Sequence, residues 1–244
     1  MHNILRKISK IIFNNIYPST CIGCDSVLDK YDKKDGVCLS CKRKIKMVGS
    51  NTCYKCGTPI KSTVSEYCDD CKRKKHSFNQ CKSVFQYIGP MKKSMYRFKY
   101  GNRRSYGETY AHFALEKYGA WIRSNNIEVI IPVPMYKPKV KKRGYNQAEV
   151  FADALGRFSG IPVEKRIISR KKNTAPMKQL NSVQRVKNLQ NAFKLSDNDV
   201  KFRKVLVVDD IYTTGTTIDE ISKNLALIGI TEVYGLCVCT GESS

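Results

Sequence analysis

From residue 83 onward the chain alternates short apolar runs with stripes of apolar residues at helical spacing. Residues 83–88 (SVFQYI) read as a strand that Gly89-Pro90 breaks, and Tyr110, Phe113, Ala114, Tyr118, Trp121 and Ile122 mark one face of a helix. Residues 128–133 (EVIIPV) are an apolar run suited to a strand buried on both faces. Ala148, Phe151, Ala154, Leu155 and Phe158 stripe a second helix, which Gly160 ends. Another buried strand is expected over residues 204–208, then a helix striped by Ile218, Ile221, Leu225 and Ile228, with Gly229 where a left-handed C-cap belongs. Residues 233–239 close the series as a strand, with Cys237 and Cys239 in the core. Strand, loop and helix repeated in this way predict an α/β fold. Its parallel sheet carries helices on both faces and gathers ligands at the carboxyl ends of the strands. Residues 170–200 show little periodicity.

The N-terminal third has a different texture. Ile4, Leu5, Ile8, Ile11, Ile12 and Ile16 come close to the pattern of an amphipathic helix over residues 1–17, expected to dock on the protein's own surface. That segment lacks the long apolar core and the cleavage site of a signal peptide, and no other stretch is long enough to span a membrane. Nine of the eleven cysteines fall between Cys21 and Cys81, and eight of these form four C-x-x-C pairs, the spacing of thiolate metal sites rather than of a disulfide framework. Reduced cysteines and no export signal together predict a cytoplasmic chain.

Cys21 and Cys24 with Cys38 and Cys41, and Cys53 and Cys56 with Cys68 and Cys71, suit two zinc ribbons that look like duplicated halves. Four sulfur ligands leave no open position, so both sites would be structural. Spacing alone leaves open an interleaved pairing of Cys21 and Cys24 with Cys53 and Cys56, an iron–sulfur cluster, and one empty site. His76 reads as part of an exposed KRKKH stretch, and Cys81 as packed at the start of the α/β part. The chain then divides into an N-terminal helix (1–17), a double zinc-ribbon module (18–80) and an α/β domain (81–244).

Charge adds a partner class. Lys and Arg number 44 against 21 Asp and Glu, a net +23, and two four-thiolate zinc sites at about −2 each would leave about +19. Such an excess favours a polyanion. Arg97, Lys99, Tyr100, Arg103 and Arg104 mix cations with ring faces as single-strand-binding surfaces do, while Tyr96 and Tyr100 read equally well as packing between the two parts.

Residues 205–217 (VLVVDDIYTTGTT) carry the sharpest chemistry. Four apolar residues lead to Asp209 and Asp210, and Thr213, Thr214, Gly215 and Thr216 turn the chain into a helix. Amides and hydroxyls at a helix N-terminus bind phosphate, and glycine lets the backbone approach closely. Two carboxylates beside that site can accept ribose hydroxyls, directly or through hydrated Mg²⁺.

On these residues the sequence resembles the type I phosphoribosyltransferases. The four cysteine pairs, Phe98-Lys99-Tyr100-Gly101, PVPMYKPKVKKRGYNQAE (132–149) and TAPMKQLNSVQRVKNLQNAF (174–193) narrow the resemblance to the ComF family, linked to DNA uptake in natural transformation. The resemblance implies a type I phosphoribosyltransferase-like fold behind a double zinc ribbon. It implies phosphoribosyl pyrophosphate, with Mg²⁺, bound at Asp209, Asp210, Thr213, Thr214, Gly215 and Thr216. Pro132-Val133-Pro134 would lie in the pyrophosphate loop, with cations from Lys139, Lys141, Lys142 and Arg143. The region around Thr174, Gln179, Leu180, Arg185 and Asn188 would close over substrate, Arg185 touching phosphate.

Three functions follow as expectations: a competence protein that binds phosphoribosyl pyrophosphate and incoming single-stranded DNA; an active phosphoribosyltransferase of unnamed acceptor; or a zinc-ribbon docking module for a competence helicase. No general base stands out in the sequence.

Overall fold

The computed structural model describes residues 19–62, 64–171, 192–196 and 201–241. The helix expected over residues 1–17 lies outside them, as do Thr174, Gln179, Leu180, Arg185 and Asn188.

Strands β1 (Gln80–Gln86), β2 (Val129–Pro132), β5 (Lys204–Tyr212) and β6 (Glu232–Thr240) form a parallel sheet in the order β1-β6-β5-β2. β3 (Ile168–Arg170) and β4 (Phe193–Leu195) make a separate antiparallel pair. The helices are α1 (Leu39–Lys44), α2 (Asp69–Arg73), α3 (Pro90–Tyr100), α4 (Tyr106–Ser124), α5 (Lys137–Arg143), α6 (Gln147–Ser159) and α7 (Thr216–Ala226). Val205, Leu206, Val207 and Val208 are fully buried, as expected of a central strand with both faces covered.

The expected α/β alternation is present, with differences at its edges. β1 starts three residues early, at Gln80, because its register on β6 begins there, opposite Tyr234. β5 runs past Val208 to Tyr212 because β6 keeps pairing with it after β2 has stopped at Pro132. Gly89-Pro90 does more than break a strand: Gly89 has a positive φ of 49°, and Pro90 opens α3 in the first turn, where an N–H would have no intrahelical partner. Phe158, expected in the buried stripe of α6, is 51% exposed, whereas Ala148, Phe151, Ala154 and Leu155 are buried.

The two cysteine-rich halves repeat each other. In both, the residue after the second cysteine is left-handed (Asp25, φ 70°; Gly57, φ 69°) and an antiparallel bridge closes the knuckle (Thr20 with Val27, Thr52 with Pro59). They do not stand apart from the sheet. β1 is an edge strand, and residues 46–48 and 55 cover its free side: Val48 N–H donates to Val84 O, Gln86 N–H to Lys46 O and Cys81 N–H to Lys55 O. An edge that would invite pairing with another chain is thereby closed. The first half buries Cys21, Ile22, Leu28, Val37 and Cys41 with Phe85, Phe98 and Tyr106, and the second buries Cys53 and Cys56 with Phe78, Tyr212 and Ile218. Each half thus joins a different core cluster of the sheet.

Candidate functional site

The four sulfurs of Cys21, Cys24, Cys38 and Cys41 lie within 4.8 Å of one another, and so do those of Cys53, Cys56, Cys68 and Cys71. This excludes the interleaved pairing. A tetrahedral ion with metal–sulfur bonds of about 2.3 Å separates its sulfurs by about 3.8 Å. Cys21–Cys38, Cys24–Cys38 and Cys56–Cys68 are 3.7, 3.8 and 3.7 Å apart, so the residues fit zinc as they stand. Backbone N–H groups of Gly23 and Cys38 approach the Cys21 sulfur at 3.3 Å, as expected around a thiolate.

Asp209 and Asp210 lie on β5 just past the end of β2, where β5 stays paired with β6 but no longer with β2. Asp210 pairs with Lys99 of α3, Nζ to Oδ2 2.9 Å, both side chains 18% exposed. Burial works against the Lys99 ammonium, but the Asp210 carboxylate overcomes it and holds the lysine above its ordinary pKa. Burial and the neighbouring Asp210 charge push Asp209 up to about 7, against the pull of Lys99 and Arg170.

Beyond the acids, Gly215 takes a left-handed conformation (φ 70°) as N-cap of α7, and the Thr214 and Thr216 hydroxyls lie 2.8 Å apart. Thr213 is exposed, while Gly215 and Thr216 are buried. The loop thus brings hydroxyls and first-turn amides to one helix N-terminus, an arrangement suited to a phosphate monoester.

Lys99, Tyr100, Lys139, Lys142 and Arg143 line a cavity of about 300 Å³. Arg143 ends α5, lies 4.8 Å over the Tyr100 ring and donates to its hydroxyl at 3.0 Å. Burial, then the charges of Arg170 and Arg143, lower the pKa of Lys139, the mark of a place short of negative charge. A diphosphate would relieve that shortage.

The stretch from Arg143 to Gln147 braces this pocket. The Tyr145 hydroxyl and the Gln147 amide both donate to the Phe98 carbonyl, and Asn146 caps α6 while donating to the Val133 carbonyl at 3.0 Å. Two segments far apart in sequence, the end of α3 and residues 132–134, are thereby locked together.

The candidate nucleic-acid residues do not form a free stripe. Arg97 donates to the Gly23 carbonyl at 3.1 Å, Arg103 pairs with Asp25 at 2.7 Å, Arg104 donates to the Gly144 carbonyl at 2.7 Å, and Lys99 and Tyr100 are engaged as described. Tyr96 and Tyr100 are 64% and 58% exposed, their rings 5.1 Å apart, so the packing between the two parts falls instead to Tyr106, whose hydroxyl donates to Asp25 at 2.7 Å.

Two residues were missed in sequence. Arg170 of β3, paired with Phe193 of β4, sits where its charge acts on both Asp209 and Lys139. His76, expected to be exposed, is buried and lies 2.8 Å from Asp219 of α7. The apolar Phe78 two residues on was the one local hint that the chain turns inward. Cys81, Cys237 and Cys239 are buried as expected.

Comparison with known proteins agrees with this geometry. Residues 12–72 match the double zinc ribbon domain and residues 114–244 the phosphoribosyl transferase domain. Competence protein F of Haemophilus influenzae is 34% identical over 229 residues, covering 91% of this chain and 98% of that protein. The chain belongs to the ComF family. ComF-family relatives at greater distance include the DNA utilization protein YhgH of Escherichia coli K12, 27% identical over 84% of this chain and 90% of that protein, and competence protein ComFC of Bacillus subtilis, 28% identical over 83% and 87%. The matched ribbon domain and the two sulfur clusters identify this ComF protein's cysteine sites as structural zinc sites. No helix among the described residues is long and apolar enough to cross a membrane.

Proposed function

We propose that this ComF protein serves DNA uptake in the cytoplasm as a binder of phosphoribosyl pyrophosphate and of single-stranded DNA. The observation that carries the ligand reading is that the Thr213–Thr216 loop follows directly on the acids of β5, and that Lys99, which pairs with Asp210, also lines the cationic pocket. The loop takes the 5-phosphate, and Asp209 and Asp210 take the ribose hydroxyls, directly or through hydrated Mg²⁺, for which carboxylate oxygens are suitable partners. Lys139, Lys142 and Arg143 take the diphosphate. Arg185 is the further phosphate contact proposed from the sequence. Calorimetry with phosphoribosyl pyrophosphate and Mg²⁺ tests this: the wild type should bind, and the double variant Asp209→Ala, Asp210→Ala should lose binding. Equal affinity in the two proteins would remove the site.

The DNA part rests on the net charge of +23 and on relatives named for competence and DNA utilization. Filter binding at several salt concentrations should give an affinity for single strands above that for heparin, falling with salt as phosphate contacts require. No preference over heparin would sink it.

A second reading, an active phosphoribosyltransferase, is favoured by the cationic pocket, since a departing diphosphate needs such a receptor. Lys139, Lys142 and Arg143 would then stabilise the leaving group as a nitrogen nucleophile attacks C1 of the ribose. Pyrophosphate release across a panel of bases and amines would separate turnover from holding.

A further inference from the structure

The strap of residues 74–78 leaves α2, the helix that carries Cys71, and leads into β1. On its way it closes around the first turn of α7. The Asp219 carboxylate there is 5% exposed; His76 Nδ1 and Lys74 Nζ lie 2.8 and 3.2 Å from its Oδ2, and Ser77 N–H donates to its Oδ1 at 2.8 Å. Lys74 also reaches the Thr214 carbonyl at 3.4 Å. The His76 ring stacks on Phe78 with centroids 4.7 Å apart, and both rings press on Gly215. A Cβ at Gly215 would come within 3.0 Å of His76 and 3.2 Å of Phe78.

None of these groups reaches the acids or the cationic pocket, and the function proposed above does not use them. A buried charge cluster of this kind adds little net stability over an apolar replacement, but its directed bonds fix one arrangement of the backbone around it. Here the backbone so fixed is the turn formed by Thr213, Thr214, Gly215 and Thr216, gripped from the strap on one side and held by β5 and α7 on the other.

We infer that Asp219, His76 and Lys74 are positioning residues that shape this turn for a phosphate monoester, tying the sugar-phosphate site to the second cysteine cluster. The inference rests on the reading of the turn as a phosphate loop. A brace that served folding alone would lower stability and weaken every ligand alike. A brace that shapes the turn weakens the ligand held there and spares one held elsewhere.

Calorimetry on the full-length zinc-loaded protein, with ribose 5-phosphate and separately with pyrophosphate and Mg²⁺, makes that distinction. Asp219→Asn should weaken ribose 5-phosphate about tenfold and Lys74→Met about threefold, the scale of coupling through a packed network. Pyrophosphate affinity should stay at the wild-type value in both. Lys74 is half-exposed, so Lys74→Met supplies a folded variant if Asp219→Asn does not fold. Unchanged ribose 5-phosphate affinity, or an equal loss for both ligands, would overturn the positioning role. Failure of the wild type to bind ribose 5-phosphate would overturn the phosphate-loop reading, and this inference with it.

Discussion

Lys99 and Asp210, 111 residues apart in sequence, meet as an ion pair at 2.9 Å beside the cationic pocket that Lys99 also lines. The lysine gives that carboxylate a positive charge of the kind a hydrated cation would also bring. Lys99→Met takes the ion-pair partner from Asp210, beside Asp209, and should cost about 2 kcal/mol. Millimolar Mg²⁺ should then raise the melting temperature of the variant more than that of the wild type, because an added cation binds the bared acids of the folded state. An equal Mg²⁺ effect on both proteins would argue against a cation site at this pair.

Gly215 is irreplaceable on two grounds. Its φ of 70° disfavours any side chain, and a Cβ would lie 2.5 Å from the Tyr212 hydroxyl. Gly215→Ala should destabilise by about 2–4 kcal/mol, summing the left-handed cost and the overpacking. Urea denaturation measures it, and a loss near zero would mean that the turn relaxes freely.

Asp219 makes stability depend on pH with a definite sign. Burial alone would raise its pKa, but the contact with His76, then the Ser77 N–H bond and last the charge of Lys74, bring it below the ordinary value. The folded chain therefore holds that proton more weakly than the unfolded one, whose value is about 3.9. The stabilisation is present above about pH 4 and is lost as pH falls through the lowered folded value. Asp219→Asn should cost about 3 kcal/mol at neutral pH, the toll of breaking a buried pair. Its deficit against the wild type should shrink below about pH 4. A deficit independent of pH would assign the loss to packing.

Zinc removal should unfold more than the ribbons. Cys21 and Cys41 share a core cluster with Phe85 and Phe98, and Cys53 and Cys56 share one with Tyr212 and Ile218. Zinc binding at such a site contributes on the order of 10 kcal/mol, comparable to the whole stability of a domain. Chelation should therefore lower a single cooperative transition followed by circular dichroism. A separate early transition that leaves the α/β melt in place would show the two parts to be energetically independent.

Much of the fold was legible because burial on both faces of a strand, or on one stripe of a helix, leaves a periodic mark. Val205 to Val208 and the stripe of Ala148, Phe151, Ala154 and Leu155 are such marks. α3 was missed because Gly89-Pro90 reads as a stop, although proline is equally at home in a first helical turn. The short β3 and β4 have too few residues for any period to show.

By itself the sequence determined the local chemistry. C-x-x-C pairs set the ligand type, an apolar run ending in two acids and T-T-G-T set a strand, a turn and a helix start, and these depend on neighbours within a few residues. Only the tertiary structure decided which cysteine pairs share a metal, that Lys99 answers Asp210, that the charge of Arg170 acts on Asp209, and that His76 turns inward to Asp219. Those pairings join residues from about a dozen to more than a hundred positions apart. They are fixed by how sheet, ribbons and helices pack, which leaves no periodic trace in the chain.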